Sequence, residues 1–98
     1  MEVELISVSP ISFMMAKEGD VLEIRRKLPK LNEYRGTLEV ATESLLIFKG
    51  QTKIGMIPYE VYTLLKNIKF KKKCRISMMN KEMKKIHIKI FITDSEKN

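Results

Sequence analysis

Lys53-Ile54-Gly55-Met56-Ile57-Pro58-Tyr59-Glu60-Val61-Tyr62-Thr63-Leu64-Leu65 reads as a short strand that stops at a proline and runs directly into an amphipathic helix. Ile54, Gly55 and Ile57 are strand-compatible, while Pro58 has the fixed φ that suits the first helical position and no amide to leave unpaired there. Beyond it, Val61, Leu64, Leu65 and Ile68 recur at i, i+3, i+4 and i+7, the spacing of one apolar helical face. The spacing predicts a helix from Pro58 to Asn67, with Asn67 as its C-terminal cap. The chain on both sides reads as β-structure. One helix inserted in a run of strands predicts a small barrel with the helix plugging or flanking it.

Working outward, Val3–Val8 is short and β-branched, closed by Ser9-Pro10, and reads as a first strand. Ile11–Lys17 either continues it past the proline or forms a short extended segment. Glu18-Gly19-Asp20 is a turn signal. Val21–Arg26 reads as a strand with Leu22 and Ile24 on one face and Glu23 and Arg25 on the other. Lys27–Gly36 is a loop, since Pro29 blocks ladder pairing and Asn32 and Gly36 favour turns. Thr37–Thr42 is the next strand, with Leu38 and Val40 inward, and the apolar run Ser44–Lys49 is either a further strand or a β-bulged continuation of it. Gly50-Gln51-Thr52 turns it back into Lys53–Ile57 as a hairpin. In the strand from Phe70 to Met79, Cys74, Ile76 and Met78 alternate with Lys73, Arg75 and Ser77, giving one apolar and one basic face. Asn80–Met83 is a turn. The last strand is the clearest: Ile86, Ile88, Ile90 and Ile92 alternate strictly with Lys85, His87, Lys89 and Phe91.

The 98 residues suffice for one domain with a modest core and are too few for two. A hydrophobic share of 44% with 32% charged residues describes a soluble globular chain. The single cysteine, Cys74, excludes an internal disulfide framework and fits a reducing cytoplasm. The N-terminal residues lack a signal-peptide pattern, and no apolar run approaches the ~20 residues of a membrane-spanning helix. The net charge of +7 is uneven: residues 1–49 balance at −1, residues 50–93 at +9 and the last five at −1. Such asymmetry points to a polyanionic partner met mainly by the second half.

Catalytic chemistry has little to build on. The only histidine, His87, lies on the polar face of its strand, and Cys74 points away from Lys73 and Arg75, as a small buried thiol would. No CxxC, HExxH or clustered His/Cys/Asp set suggests a metal, and the scattered glycines build no phosphate-cradling loop. No catalytic residue, metal ligand or cofactor is therefore expected, and the chain reads as non-enzymatic. The basic faces carry more information. If the last two strands form a hairpin burying Ile76, Met78, Ile88 and Ile90, then Lys73 and Arg75 fall beside Lys85, His87 and Lys89, with Phe91 interleaved. Lysines that neutralise phosphates and rings that stack on bases are how barrel folds hold single strands. Tyr59, Tyr62 and Lys66 lie off the apolar helical stripe, as a stacking platform or as tyrosines packed on a neighbouring loop. Met14, Met15, Met78, Met79 and Met83 read as core filler.

Four motifs occur in order: Leu22-Glu23-Ile24-Arg25-Arg26, Asn32-Glu33-Tyr34-Arg35, Thr37-Leu38-Glu39-Val40 and Ile54-Gly55-Met56-Ile57-Pro58. In this the segment Leu22–Leu65 resembles the HIRAN domain. That family's pattern is a strand ending in a basic residue, an Asn-x-Tyr-Asp loop, an Ala-Ile-x-Val strand core, and a hydrophobic-Gly-hydrophobic-Pro turn into a helix. The resemblance implies an OB-like β-barrel that captures single-stranded DNA, at a 3′ end in the best-known member. Tyr34 matches the loop tyrosine that stacks on a base. Arg35 stands where the family has the aspartate that contacts the terminal hydroxyl, a reversal of charge. The basic-aromatic cluster of the family's first strand has no counterpart in Ile6–Met15.

The resulting expectation is a single mainly β domain over residues 1–93, an OB/SH3-like β-barrel of about six strands with one main helix, and a polar tail over 94–98. Its function is expected to be nucleic-acid binding, to single-stranded DNA or DNA ends. Arg25, Arg26, Arg35, Lys73, Arg75, Lys85 and Lys89 would meet phosphates, and Tyr34 and Tyr59 would stack on bases. The alternative is a protein–protein interaction domain, an adaptor or inhibitor using the barrel surface or an edge strand, with Tyr59, Tyr62 and Met14–Met15 marking an exposed apolar patch.

Overall fold

Ile86, Ile88 and Ile90 are completely buried, so the alternation that marks the last strand is the inner face of a sheet. The computed structural model describes residues 1–27, 31–32, 39–40 and 43–93. The elements run β1 (Glu2–Glu4), α1 (Pro10–Met15), β2 (Val21–Lys27), β3 (Leu31–Asn32), β4 (Glu39–Val40), β5 (Ser44–Lys49), β6 (Thr52–Met56), α2 (Tyr59–Leu65), β7 (Phe70–Asn80) and β8 (Lys85–Ile92). Six strands form one antiparallel sheet in the order β1-β8-β7-β2-β5-β6, and β3 pairs with β4 separately. The expected hairpins are present. Gly50, at φ +61°, opens the two-residue turn that returns β5 into β6, and the Asn80 side chain accepts from the Met83 amide in the turn before β8.

The two edges of the sheet meet at one point. Just past β1, Ile6 and Met56 of β6 exchange two backbone hydrogen bonds of 2.9 Å. The sheet is thus joined across its edges by a single bridge and does not close into a continuous ladder. Gly55 makes that approach possible: a Cβ there would lie 3.0 Å from Val8 Cγ2 and 3.1 Å from the Ile6 carbonyl oxygen. Leu5, Ile54, Ile57 and Leu65 pack beneath the bridge with the isoleucines of β8.

Several expectations are corrected. The chain upstream of Lys53 is not all β, because Pro10–Met15 is helical. Ser9 caps α1, accepting from the Ser12 amide at 3.1 Å, and Pro10 occupies the first turn where no donor is needed. The Ser12 hydroxyl then donates to the Lys53 carbonyl at 2.9 Å, so α1 sits against the free edge of β6. The first strand is correspondingly short, ending at Glu4 instead of Val8. Pro58 is the N-cap of α2, not its first helical residue, and the C-cap is Lys66, not Asn67. Leu64 lies outside the apolar face, 58% exposed, and Tyr62 packs on the core in its place beside Val61 and Leu65. Met78 also points outward, since a bulge between Ile76 and Met78 shifts the register so that Met79 packs on the core. Met14, Met15 and Met83 are exposed as well, not core filler. Leu31–Asn32, expected in a loop, pairs as β3 with β4, the described part of the Thr37–Thr42 strand. Among the described residues, no helix is long and apolar enough to cross a membrane, and no group of three or more metal-ligating side chains occurs.

Cys74 is buried, and burial pushes its thiol pKa up to about 12. The folded protein should resist a thiol-specific reagent at pH 8 and react fully once denaturant unfolds it. Gly55→Ala should lower stability by roughly 1–3 kcal/mol, because the Ile6 backbone must retreat from the added methyl; chemical denaturation measures this directly.

Candidate nucleic-acid interface

The outer face of β7 and β8 gathers the cations. Arg75 lies opposite Lys89 on β8 and Val21 on β2, and Lys73 lies opposite Glu23. Between Cys74, paired with Ile90, and Phe70, paired with Ile92, three residues of β7 face one of β8. Lys71, Lys72 and Lys73 are therefore set against Phe91 alone, a bulge with two extra residues. Phe91 is 38% exposed, and the Lys89 ammonium lies 5.9 Å from its ring centroid. A shallow groove of about 330 Å³ runs between Phe91, Lys71, Lys73, Arg75 and Val21. A second, of about 310 Å³, continues from Val21 and Lys73 to Glu23, Arg25 and Phe48.

Arg25 is held in place along this path. Its guanidinium lies 4.3 Å over the Phe48 ring, one nitrogen donates to the Gly50 carbonyl at 2.9 Å, and another donates to Glu23. The hydrogen bond from Arg25 holds the Glu23 carboxyl below its ordinary pKa, with Lys73 and Lys72 adding to the effect. Lys53 stands opposite Phe48 on β6.

The other expected contacts are distributed differently. Lys85 forms an ion pair with Glu4 at 2.8 Å, and His87 Nε2 lies 3.5 Å from the same carboxylate. Glu2 lies opposite Lys89. The predicted row of Lys85, His87 and Lys89 is thus bordered by β1 carboxylates that no local sequence pattern places there. Arg26 leaves the group altogether. It has the inward parity of Leu22 and Ile24 and pairs with Glu43 at 3.1 Å. Tyr62 donates to the other oxygen of Glu43 at 2.6 Å, and Tyr59 tilts against the Tyr62 ring with centroids 6.1 Å apart. Tyr59 therefore belongs to α2 and not to the cationic face. Tyr34 and Arg35 lie outside the described residues. Where β2 and β7 part beyond Glu23 and Lys73, a cavity of about 650 Å³ opens, lined by Ile24, Leu45, Ile68 and Phe70 with Arg26, Lys69 and Lys72.

Phe48 and Lys71 were not singled out from the sequence. Phe48 follows Leu45 and Ile47 in alternation and so had to face outward. Its position beside Arg25, however, depends on the β2–β5 register, which no local pattern fixes. Compared with known proteins, the chain matches no protein-family model, no curated protein and no solved structure.

Among the described residues, four carboxyls are held below their ordinary values by hydrogen-bonding partners: Glu4 by Lys85, Asp20 by Lys49, Glu23 by Arg25, and Glu43 by Tyr62 and Arg26. Each binds protons more readily in the unfolded chain, so its stabilisation is present above the ordinary carboxylate range and is lost as pH falls through the folded pKa. The melting temperature should hold from pH 7 to pH 5 and fall below about pH 4. Glu43→Gln should flatten that fall while lowering the neutral-pH plateau.

Proposed function

We propose that this protein is a non-enzymatic nucleic-acid-binding module of HIRAN-like type, taking single-stranded DNA or DNA ends and acting in the cytoplasm. The observation that carries the reading is the β7 bulge, which sets Lys71 and Lys73 beside the exposed ring of Phe91 next to Arg75 and Lys89. Cations spaced along a sheet face meet phosphates, and an exposed ring among them offers a surface to a base. The Ile6–Met56 bridge supports the finer reading of the sheet as a small OB/SH3-like barrel. Arg25 contributes a stacking plane, its charge balanced by Glu23 as that of Lys85 is by Glu4.

The test is fluorescence anisotropy of a short labelled single strand. With about three phosphates neutralised, log K should fall by about 2 per tenfold rise in salt. The double variant Lys73→Glu, Arg75→Glu should weaken binding and flatten that slope by about 1.4. No binding at ~100 μM protein in low salt would sink the reading.

A second reading, a protein–protein interaction domain, draws on α1. Ile11 and Met14 are 72% and 79% exposed on a helix that otherwise anchors to β6. Ile11→Ser with Met14→Ser should leave nucleic-acid affinity unchanged if the first reading holds. Loss of association with a partner protein in that variant, with no DNA affinity in either form, would favour the second.

A further inference from the structure

Resting on the nucleic-acid reading, we infer that a single strand crosses the sheet at right angles to its β-strands, with unpaired bases seated at two stations, Phe91 at one end and the Arg25 guanidinium backed by Phe48 at the other. The register defines the path. Phe91 faces the Lys71–Lys73 bulge, Lys73 faces Glu23, and Glu23 faces Phe48, so one transverse row runs through β8, β7, β2 and β5. The two shallow grooves follow that row and meet at Val21 and Lys73.

Three strand spacings of ~4.8 Å separate the stations by about 14 Å. Neighbouring bases in a stacked helix are only ~3.4 Å apart, so the stations cannot be filled by adjacent stacked bases. They suit a strand whose bases are splayed, with the intervening phosphates over Lys73 and Arg75. A duplex hides the faces of its bases and would meet this row with phosphates alone. The Arg25 plane is already fixed by Phe48, Glu23 and the Gly50 carbonyl, so stacking on it costs little further ordering. Its tie to Glu23 also neutralises the one carboxylate lying on the row. At the β8 end the row ends at Phe91, beyond the pairing of β1, whose Glu2 lies opposite the neighbouring outward residue Lys89; at the other end Lys53 extends it past Phe48.

Two conservative substitutions isolate stacking from charge and bulk: Phe91→Leu and Arg25→Lys, each compared with the parent by thermal melting. Both should weaken binding of an oligothymidylate by about 5- to 150-fold, leave the salt slope unchanged, and leave blunt-duplex binding as it was. If both variants bind the oligothymidylate like the parent while Lys73→Glu, Arg75→Glu weakens it, the polyanion reading survives and the two-station path is overturned. Tighter binding of a blunt duplex than of the single strand overturns the path as well. Failure of the parent to bind either oligonucleotide removes the reading on which the path rests.

Discussion

A β-strand cannot bury one face without presenting the other, and in this chain that constraint is carried by Ile86, Ile88 and Ile90. These three side chains are entirely withdrawn from water at the centre of the core. Withdrawing them fixes Lys85, His87, Lys89 and Phe91 on the outside, and pairing with β7 does the same for Lys73 and Arg75. A slip of one residue would exchange the two sets and place Lys85, His87 and Lys89 in the core, at a desolvation cost no other element could offset. The cationic surface is thus a consequence of the packing requirement. Its chemistry and the stability of the fold are two sides of the same strands.

Regular alternation alone would have made a uniform surface. The departures from it give the face its shape. The bulge at Lys71–Lys73 brings Lys71 and Lys73 beside one phenylalanine, and the bulge between Ile76 and Met78 turns Met78 outward and brings Met79 onto the core. On β1, Glu2 and Glu4 end the basic field by standing opposite Lys89 and His87. The cations Lys71, Lys73 and Arg75, unpaired among the described residues, thus stand on β7, and the Arg25–Phe48 stack lies beside them toward β5.

Much of this was legible in the sequence. Period-two patterns located β2, β7 and β8 and most of their inward residues, though Met78 and Ile92 prove exposed, and the turn residues located the hairpins. Helix α1 was not read because six residues are too few for a 3.6-residue period to register. Its Ser9-Pro10 start was nevertheless a readable capping signal. Choosing Leu64 over Tyr62 for the buried face of α2 followed hydropathy, but Tyr62 can bury its ring while its hydroxyl reaches Glu43. The candidate site was half legible. The pairing of Lys73 and Arg75 with Lys89 followed from alternation, whereas the Glu4–Lys85 ion pair and the Arg25–Phe48 stack join residues far apart in sequence. Arg26 illustrates the limit of a charge count: its parity points it inward, where Glu43 takes its charge.

The pairing of β1 with β8 has a further consequence in time. Val3 lies against Ile88, so the second strand of that ladder is made some eighty residues after the first. During synthesis β1 has no partner, and the Ile6–Met56 bridge can hold only one side of it. Completion of the sheet is therefore deferred until the final hairpin has formed, and contacts of such long separation slow the step that makes them. The strand that seals the core is thus also the one that completes the cationic face.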